Sequence, residues 1–196
     1  MGRFRHLANP FQNAPEVKEQ DFKAIFGNDH PLVLEIGIGF GRFFIAMAQK
    51  FPNNNFIGIE IRNPFVKIIN EKIEKLGLKN ALAIHANANF SLTKIINKKS
   101  IAEVYILFPD PWIKRKHLKR RLVHLPFIKD LYKVCRRGTK VHIKTDEDFM
   151  HADISAKFKS AKLFKKIRNP KLPFITTREK KYLGKGKKIW QLTYQK

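Results

Sequence analysis

The sequence predicts an α/β fold with a mostly parallel, doubly wound β-sheet. Short apolar runs recur along the chain, and between them lie segments whose apolar residues are spaced three and four positions apart. Because strands and helices alternate, we expect a parallel sheet with right-handed helical crossovers. A length of 196 residues suits one domain. We expect this domain to occupy residues 29–196, after a basic N-terminal arm over residues 1–28 that contains Arg3 and Arg5.

Most predicted elements have a recognisable beginning or end. Pro52 and Gly77 stop the first two core helices, and Gly138 makes the turn into the fifth strand. After the glycine-containing turn at residues 184–186 a final segment alternates between apolar and polar residues, which predicts an antiparallel edge strand. The predicted strands are residues 32–36, 56–61, 81–86, 104–108, 140–145 and 189–194. The predicted helices are residues 43–51, 64–76, 90–96, 125–134 and 146–158.

The composition is strongly basic. Forty Lys and Arg residues against sixteen Asp and Glu residues give a formal net charge of +24. A lysine-rich genome would raise the charge evenly along the chain, but after Asp153 the sequence contains one acidic residue, Glu179. This asymmetry predicts a polyanionic partner, since each cation placed on a phosphate releases condensed counterions. A nucleic acid is favoured over an anionic membrane surface.

Composition also argues against several classes of protein. No apolar stretch reaches the ~20 residues that a transmembrane helix needs, and the first ten residues lack the apolar segment of a secretory signal. We therefore expect a cytoplasmic protein without a membrane partner. Cys135 is the single cysteine, which excludes an intramolecular disulfide and a cysteine-based zinc site. No metal is expected, and the sequence is compatible with a monomer or a homodimer.

A glycine-rich turn follows the first predicted strand, where a Rossmann-like sheet binds its ligand. Gly37, Gly39 and Gly41 allow a cofactor to approach the backbone closely, but Arg42 stands where the dinucleotide fingerprint has its third glycine. Glu35, at the end of the strand, would repel a pyrophosphate and attract the ammonium and sulfonium groups of S-adenosylmethionine. The turn therefore favours S-adenosylmethionine over a nicotinamide dinucleotide.

Two further polar residues follow the next strands. Glu60 ends the second predicted strand, about 20 residues after the glycine turn, where a carboxylate accepts hydrogen bonds from ribose hydroxyls. Asn87 lies just past the third strand and is placed to hold the adenine amine, although a polar turn residue is an equally good interpretation.

The segment that leaves the fourth strand, residues 108–112, reads Phe-Pro-Asp-Pro-Trp. Its prolines restrict the backbone around Asp110, and Trp112 supplies an aromatic wall. A planar base could be held there beside a carboxylate at the mouth of the cofactor cleft, while a turn-capping aspartate is the alternative interpretation. Six Lys or Arg residues follow within residues 114–121 without an acid between them. That run predicts RNA contact in preference to a solvated face.

These motifs resemble those of the bacterial tRNA (guanine-N7-)-methyltransferase family, from about residue 31 to the C-terminus. The most specific element is Phe-Pro-Asp-Pro-Trp-x-Lys-x-x-His-x-x-Arg-Arg, which residues 108–121 match. Further matches are residues 35–41, 58–60, 145–146, 176–179 and 189–192. The resemblance implies a class I S-adenosylmethionine-dependent methyltransferase fold. It also implies that the protein forms 7-methylguanosine at position 46, in the variable loop of tRNA.

The resemblance further implies roles for individual residues. The implied cofactor pocket contains Glu35, Gly37, Gly39, Gly41, Glu60, Asn87 and Asp110, with Asp110 also the candidate catalytic residue. The implied guanosine site contains Lys114, Asp146, Thr176, Thr177, Arg178 and Glu179. The implied RNA surface contains Lys116, His117, Lys119, Arg120 and Arg121. Asn87 and Arg178 depart from the family pattern, which usually has Asp and Phe at these positions.

Other functions stay open at this stage. An exocyclic-amine methyltransferase acting on adenine has an Asp-Pro-Pro-aromatic turn similar to residues 110–112, but the basic run is not part of that motif. A non-catalytic RNA-binding protein with a vestigial cofactor pocket would have the same charge. A nicotinamide oxidoreductase is disfavoured by Glu35 and Arg42.

Overall fold

The computed structural model describes residues 15–196, so Arg3 and Arg5 of the predicted basic arm lie outside the described residues. The strands are β1 (Leu32–Ile36), β2 (Asn55–Glu60), β3 (Ala81–His85), β4 (Ile101–Leu107), β5 (Cys135–Thr145), β6 (Lys165–Ile167) and β7 (Trp190–Gln195). The helices are α1 (Phe22–Phe26), α2 (Arg42–Lys50), α3 (Asn63–Lys75), α4 (Ala88–Ile95), α5 (Leu125–Val134), α6 (Asp148–Ala161) and α7 (Thr177–Leu183). A 3₁₀ helix spans Arg115–Arg120.

The strands form one sheet in the order β3-β2-β1-β4-β5-β7-β6. Strands β1 to β5 are parallel to one another, whereas β7 is antiparallel to both β5 and β6. The predicted α/β fold is confirmed, including the antiparallel C-terminal strand. The outer side of that strand is covered by the short β6. Because β1 lies between β2 and β4, the chain changes direction across the sheet there, and the carboxyl ends of β1 and β4 border a crevice suited to a ligand.

The core has two layers, one on each face of the sheet. Adjacent strand residues point to opposite faces, and Val33 and Leu34 accordingly belong to different buried clusters. The Leu34 cluster includes residues of α1, α4, α5 and α6, while the Val33 cluster includes residues of α2 and α3. Burial on both faces explains why the parallel strands are apolar runs. None of the helices in residues 15–196 combines the length and apolar character needed to cross a bilayer.

Four elements were not predicted: α1, β6, α7 and the 3₁₀ helix. Each is short, so neither helical nor strand periodicity is measurable in its sequence. Helix α1 begins with Asp21 as its N-cap and buries Phe22 and Phe26 in the core. The second half of the predicted arm is thus packed against the domain. Helix α7 begins with a reciprocal capping box between Thr176 and Glu179, a pattern visible in the sequence.

Candidate active site

A cleft opens at the carboxyl ends of β1 to β4, where the topology places a ligand site. Its walls are mostly apolar, and its polar groups come from the tips of three different strands. The wall includes Ile36, Gly37, Ile59, Glu60, Arg62, Ala86, Asn87, Leu107, Asp110, Trp112 and Arg120. Of the cofactor residues implied by the sequence, Gly37, Glu60, Asn87 and Asp110 line this one cleft.

The glycine turn has the backbone shape that its sequence requires. Gly37, Gly39 and Gly41 all have positive φ angles, of 79°, 54° and 68°, which residues with a β-carbon adopt only with strain. At Gly41 a β-carbon would also lie 2.9 Å from Cγ1 of Ile69 on α3. The turn therefore depends on glycine for conformation and, at its last position, for close packing against α3.

Glu60 fixes this turn from the tip of β2. Its side chain is 2% exposed, and its Oε2 atom accepts a hydrogen bond of 2.9 Å from the backbone N–H of Gly39. The Arg62 side chain donates to both carboxylate oxygens, over 2.8 Å to Oε1 and 3.3 Å to Oε2. The Arg62 guanidinium also lies over the Phe65 ring, 4.2 Å from its centroid. A ligand with hydroxyl donors could reach Glu60 by taking the place of this partly exposed guanidinium.

Glu35 lies beside the cleft and not on its wall. The residue is 5% exposed, pairs in register with Gly58 and Tyr105, and shares a sheet face with Val33. Burial raises the pKa of the Glu35 carboxyl well above its usual value, and the Glu60 carboxylate raises it further. Within residues 15–196 its Oε2 atom has no hydrogen-bond partner. A buried carboxyl with a free oxygen is costly unless a donor or a cation is bound near it.

Asn87 begins α4. Its side chain is 3% exposed, and its Oδ1 atom accepts a hydrogen bond of 3.1 Å from the N–H of Asn89. Capping explains the choice of Asn at this position. Because the residue also lines the cleft, the capping role and the predicted adenine contact are compatible.

The loop after β4 brings Asp110 to the mouth of the cleft. Phe108 and Trp112 flank it with positive φ angles of 57° and 38°, conformations that non-glycine residues adopt at a cost. The Phe108 N–H is held by the carbonyl of Lys144 on β5 at 2.8 Å. Partial burial raises the pKa of the Asp110 carboxyl, and the nearby Arg62 and Arg178 side chains oppose this increase. The Asp110 carboxyl thus lies at the mouth of the cleft, under the electrostatic influence of two cations.

Trp112 forms an aromatic platform at this mouth. The Arg120 guanidinium lies over its ring at 5.1 Å, and the His117 ring meets it edge-on at 5.5 Å.

Arg121 has a different environment from its neighbours. Its Nε atom donates to the Pro111 carbonyl at 2.9 Å, and its Nη1 atom contacts Asp153 at 3.2 Å. Arg121 therefore anchors the loop, while Lys114, Lys116 and Lys119 are exposed.

Asp146 follows β5 and is paired within the chain. One of its carboxylate oxygens lies 3.2 Å from Nη2 of Arg178, and its side chain is 2% exposed. The Arg178 guanidinium lies near two aromatic rings, 5.6 Å from the Phe108 centroid and 5.4 Å from the Tyr182 centroid. Residues that are far apart in sequence thus meet beside Asp110.

The sequence interpretation missed Lys144. This residue is 6% exposed on β5, and its ammonium lies 2.7 Å from the Glu179 carboxylate of α7. Glu179 also completes the capping box with Thr176, so it is committed to holding α7 in place. The hydroxyl of Thr177 accepts a hydrogen bond of 3.3 Å from Arg42 on α2. The sequence signal for this ion pair is a lysine within an apolar strand, because a buried cation needs an acidic partner.

The structure thus brings Asp146 together with residues 176–179 of the implied guanosine site. Asp146 and α7 meet at the end of β5, where Arg178 also acts electrostatically on Asp110. Lys114 is exposed in the basic segment that follows Asp110 in the chain. The cleft, its acidic tips and its cationic rim suit a cationic cofactor and an anionic substrate.

Comparisons with known proteins agree with this geometry. A family model described as "Putative methyltransferase" matches residues 29–192. The tRNA (guanine-N(7)-)-methyltransferase of Trichormus variabilis is 33% identical over 207 aligned positions, which cover 99% of this chain and 96% of that protein. The enzyme of the same name from Hydrogenovibrio crunogenus is 31% identical and covers 92% of this chain and 78% of its own length.

A solved structure supports the fold independently. The SAM-dependent methyltransferase from Aquifex aeolicus superimposes with a TM-score of 0.61 at 16% identity, and the match covers 84% of this chain and 81% of that chain. Relatives at this identity and coverage, together with the family model, establish kinship that the motifs alone only imply. The chain therefore belongs to the tRNA (guanine-N(7)-)-methyltransferase family.

Proposed function

We propose that this protein transfers a methyl group from S-adenosylmethionine to N7 of guanine at position 46 of tRNA. The observation that carries the proposal is the single cleft that joins the Glu60 tip of β2 to the Asp110 loop after β4. One side of this cleft suits a cofactor with a ribose and cationic groups. The other side opens onto aromatic and basic side chains that suit a nucleobase within RNA. A tRNA substrate also implies a cytoplasmic enzyme.

The residues of the cleft fit S-adenosylmethionine. Glu60 can accept hydrogen bonds from the ribose hydroxyls once the Arg62 guanidinium gives way, since that side chain is 37% exposed. Glu35 is a buried acid with an oxygen that accepts no hydrogen bond from any described residue, and a nearby ammonium or sulfonium would stabilise its charged form. The apolar walls from β1, β2 and α4 suit the adenine ring.

Little proton chemistry is required of the protein. Guanine N7 has an in-plane lone pair and carries no proton, so no general base is needed to create the nucleophile. When bound, S-adenosylmethionine supplies a methyl group that is activated by the adjacent sulfonium. The chain's task is to align the base, to exclude water and to stabilise the positive charge that develops on the purine. Asp110 is the carboxylate at the boundary between the two sides, so we assign it this electrostatic and positioning role.

The tRNA is held by charge and shape. Lys114, Lys116 and Lys119 are exposed next to the Trp112 platform, so phosphates can be bound while a single base enters the cleft. Arg120 lies over Trp112 and lines the cleft mouth. This segment links the phosphate contacts to the reactive site within one short loop.

Nucleoside analysis of methylated tRNA tests the proposal. The purified protein, incubated with S-adenosylmethionine and an unmodified tRNA transcript, should produce 7-methylguanosine. A matched transcript with adenine at position 46 should receive none. N6-methyladenosine as the product would contradict N7 chemistry, and equal methylation of the two transcripts would contradict position 46. A protein that binds tRNA without cofactor binding or turnover would be a non-catalytic RNA-binding protein.

A further inference from the structure

Arg178 has an environment that the family resemblance does not explain, since Phe is usual at this position. The Arg178 side chain is 38% exposed, and the Nη2 atom of its guanidinium is held by Asp146, whose side chain is almost fully buried. A guanidinium carries five N–H donors. Within residues 15–196, Asp146 is its hydrogen-bond partner, and the Nε donor has none. The Arg178 guanidinium therefore has N–H donors left to bind a substrate at the edge of the proposed guanosine site.

This side chain is held firmly. The Phe108 and Tyr182 rings both lie within cation–π distance of the guanidinium, with their centroids at 5.6 Å and 5.4 Å. Helix α7 is tied to β5 by the buried pair between Lys144 and Glu179. Asp146 holds the guanidinium by an ion pair. A donor that is already oriented loses less entropy on binding than a free arginine does.

We propose that Arg178 reads O6 of the target guanine, and that Asp146 is the positioning residue that orients it. The inference rests on the proposed N7 methylation. O6 and N7 are the two acceptors on one edge of guanine, whereas adenine presents an amine donor in place of O6. A cationic donor beside O6 therefore favours guanine and opposes adenine.

The ion pair with Asp146 also lowers the electrostatic cost of placing Arg178 beside a base that becomes cationic. Methylation makes the purine cationic, and an isolated arginine beside it would raise the energy of the product. Because Asp146 lies 3.2 Å from Arg178, the opposite charges of the pair largely cancel each other at the purine ring. Asp110 adds a second carboxyl nearby, two residues after the Phe108 ring that Arg178 approaches, and the Arg178 guanidinium favours the charged form by lowering the pKa of Asp110. Arg178 can thus donate to O6 without strongly opposing the charge that develops.

The test compares two tRNA transcripts that differ at positions 1 and 6 of the target base. One carries guanine, and the other carries 2-aminopurine, which keeps N7 and the 2-amine but lacks O6 and the N1 hydrogen. Because an arginine only donates hydrogen bonds, Arg178 can contact O6 of guanine but not its N1–H. Single-turnover methylation is measured for the wild-type protein, Arg178→Met, Arg178→Lys and Lys180→Ala. Lys180 is exposed on the same helix and is outside the proposed site, so its variant controls for the loss of one positive charge.

The readout is the ratio of rates on guanine and on 2-aminopurine, because a partly folded preparation affects both rates equally. Arg178→Met should reduce this ratio by about tenfold to hundredfold, as expected for one lost hydrogen bond to a charged donor. Arg178→Lys should restore part of it, and Lys180→Ala should keep the wild-type ratio. An unchanged ratio in Arg178→Met would overturn the assignment while leaving N7 methylation in place. A wild-type protein inactive on the guanine transcript would overturn both proposals.

Discussion

The proposed cofactor side of the cleft and the proposed substrate side, which adjoins β5 and α7, are built in different ways. On the cofactor side, the glycine turn and Glu60 are linked by a hydrogen bond from a backbone N–H, and the turn's shape follows from glycine φ angles. On the substrate side, side chains hold the structure together through ion pairs between β5 and α7, Asp146 with Arg178 and Lys144 with Glu179.

This difference determines which substitutions each side tolerates. Backbone geometry tolerates change in most side chains but not in its glycines. Buried ion pairs fail when one partner is removed, because the remaining charge is then buried without compensation. The cofactor side should therefore respond mainly in cofactor affinity, and the substrate side in stability and base recognition.

The largest effect should come from removing a buried cation of the substrate side. Lys144→Met leaves the Glu179 carboxylate without its ammonium partner, so the free energy of unfolding should fall by about 3–5 kcal/mol. Urea denaturation measures it. Lys140→Met is the matched control, since Lys140 lies on the same strand with an exposed side chain, and it should change stability by about 0.5 kcal/mol or less.

A double variant sharpens this prediction. Glu179→Gln removes the stranded charge and keeps a side chain that can complete the capping box. Adding it to Lys144→Met should therefore recover part of the lost stability. If the double variant is less stable than Lys144→Met alone, the pair does not act as a coupled charge pair.

The same contrast explains how much the sequence could predict. The fold, the glycine turn, Glu60 and the Asp110 loop are encoded in short contiguous segments, and the structure places Glu60 and Asp110 on one cleft wall. The roles of Lys144 and Arg178 depend on α7, a short helix whose position relative to β5 is set by contacts 32 and 35 residues apart in sequence. Local periodicity carries no information about such pairings. The contacts of Arg121, which the family resemblance places on the RNA surface, with Pro111 and Asp153 were equally invisible to local pattern.

The next prediction concerns Asp110, at the border between the two sides. Asp110→Asn keeps the shape and removes the charge, so single-turnover methylation should fall by about a hundredfold or more. Calorimetry should show cofactor affinity changed far less. Asp130→Asn, which removes a carboxylate paired with Lys133 on α5, should leave the rate unchanged. An unchanged rate in Asp110→Asn would remove this residue from the mechanism.

On the cofactor side, Glu35 should couple cofactor binding to pH. Burial and the neighbouring Glu60 raise the pKa of Glu35, and Tyr105, on the adjacent strand, also faces it. A bound cation favours the carboxylate, so cofactor affinity should fall by up to about tenfold per pH unit below the folded-state pKa. Glu35→Gln should bind more weakly at high pH and lose this dependence, as calorimetry over a pH series would show.

The raised pKa of Glu35 has the opposite pH effect on the stability of the unliganded protein. Since the pKa of Glu35 is raised in the folded state, the unliganded protein holds that proton more tightly than the unfolded chain does. The stability that Glu35 contributes is therefore fully present below its unfolded-state pKa and is lost as the pH rises through its folded-state pKa. In Glu35→Gln this loss should disappear. Parallel pH profiles for the two proteins would contradict the assignment.

The smallest effects separate two neighbouring cations of the basic segment. Lys119 is exposed, whereas Arg121 is tied to Pro111 and Asp153. Lys119→Ala should lower the slope of log affinity for tRNA against log salt by about one and leave the unfolding transition unchanged. Arg121→Ala should lower the free energy of unfolding by about 1–3 kcal/mol and leave the salt slope nearly unchanged, because its charge is already compensated. If both variants change the slope equally, Arg121 must leave Asp153 when tRNA binds. The substrate side would then be rebuilt on binding, in contrast to the preformed glycine turn.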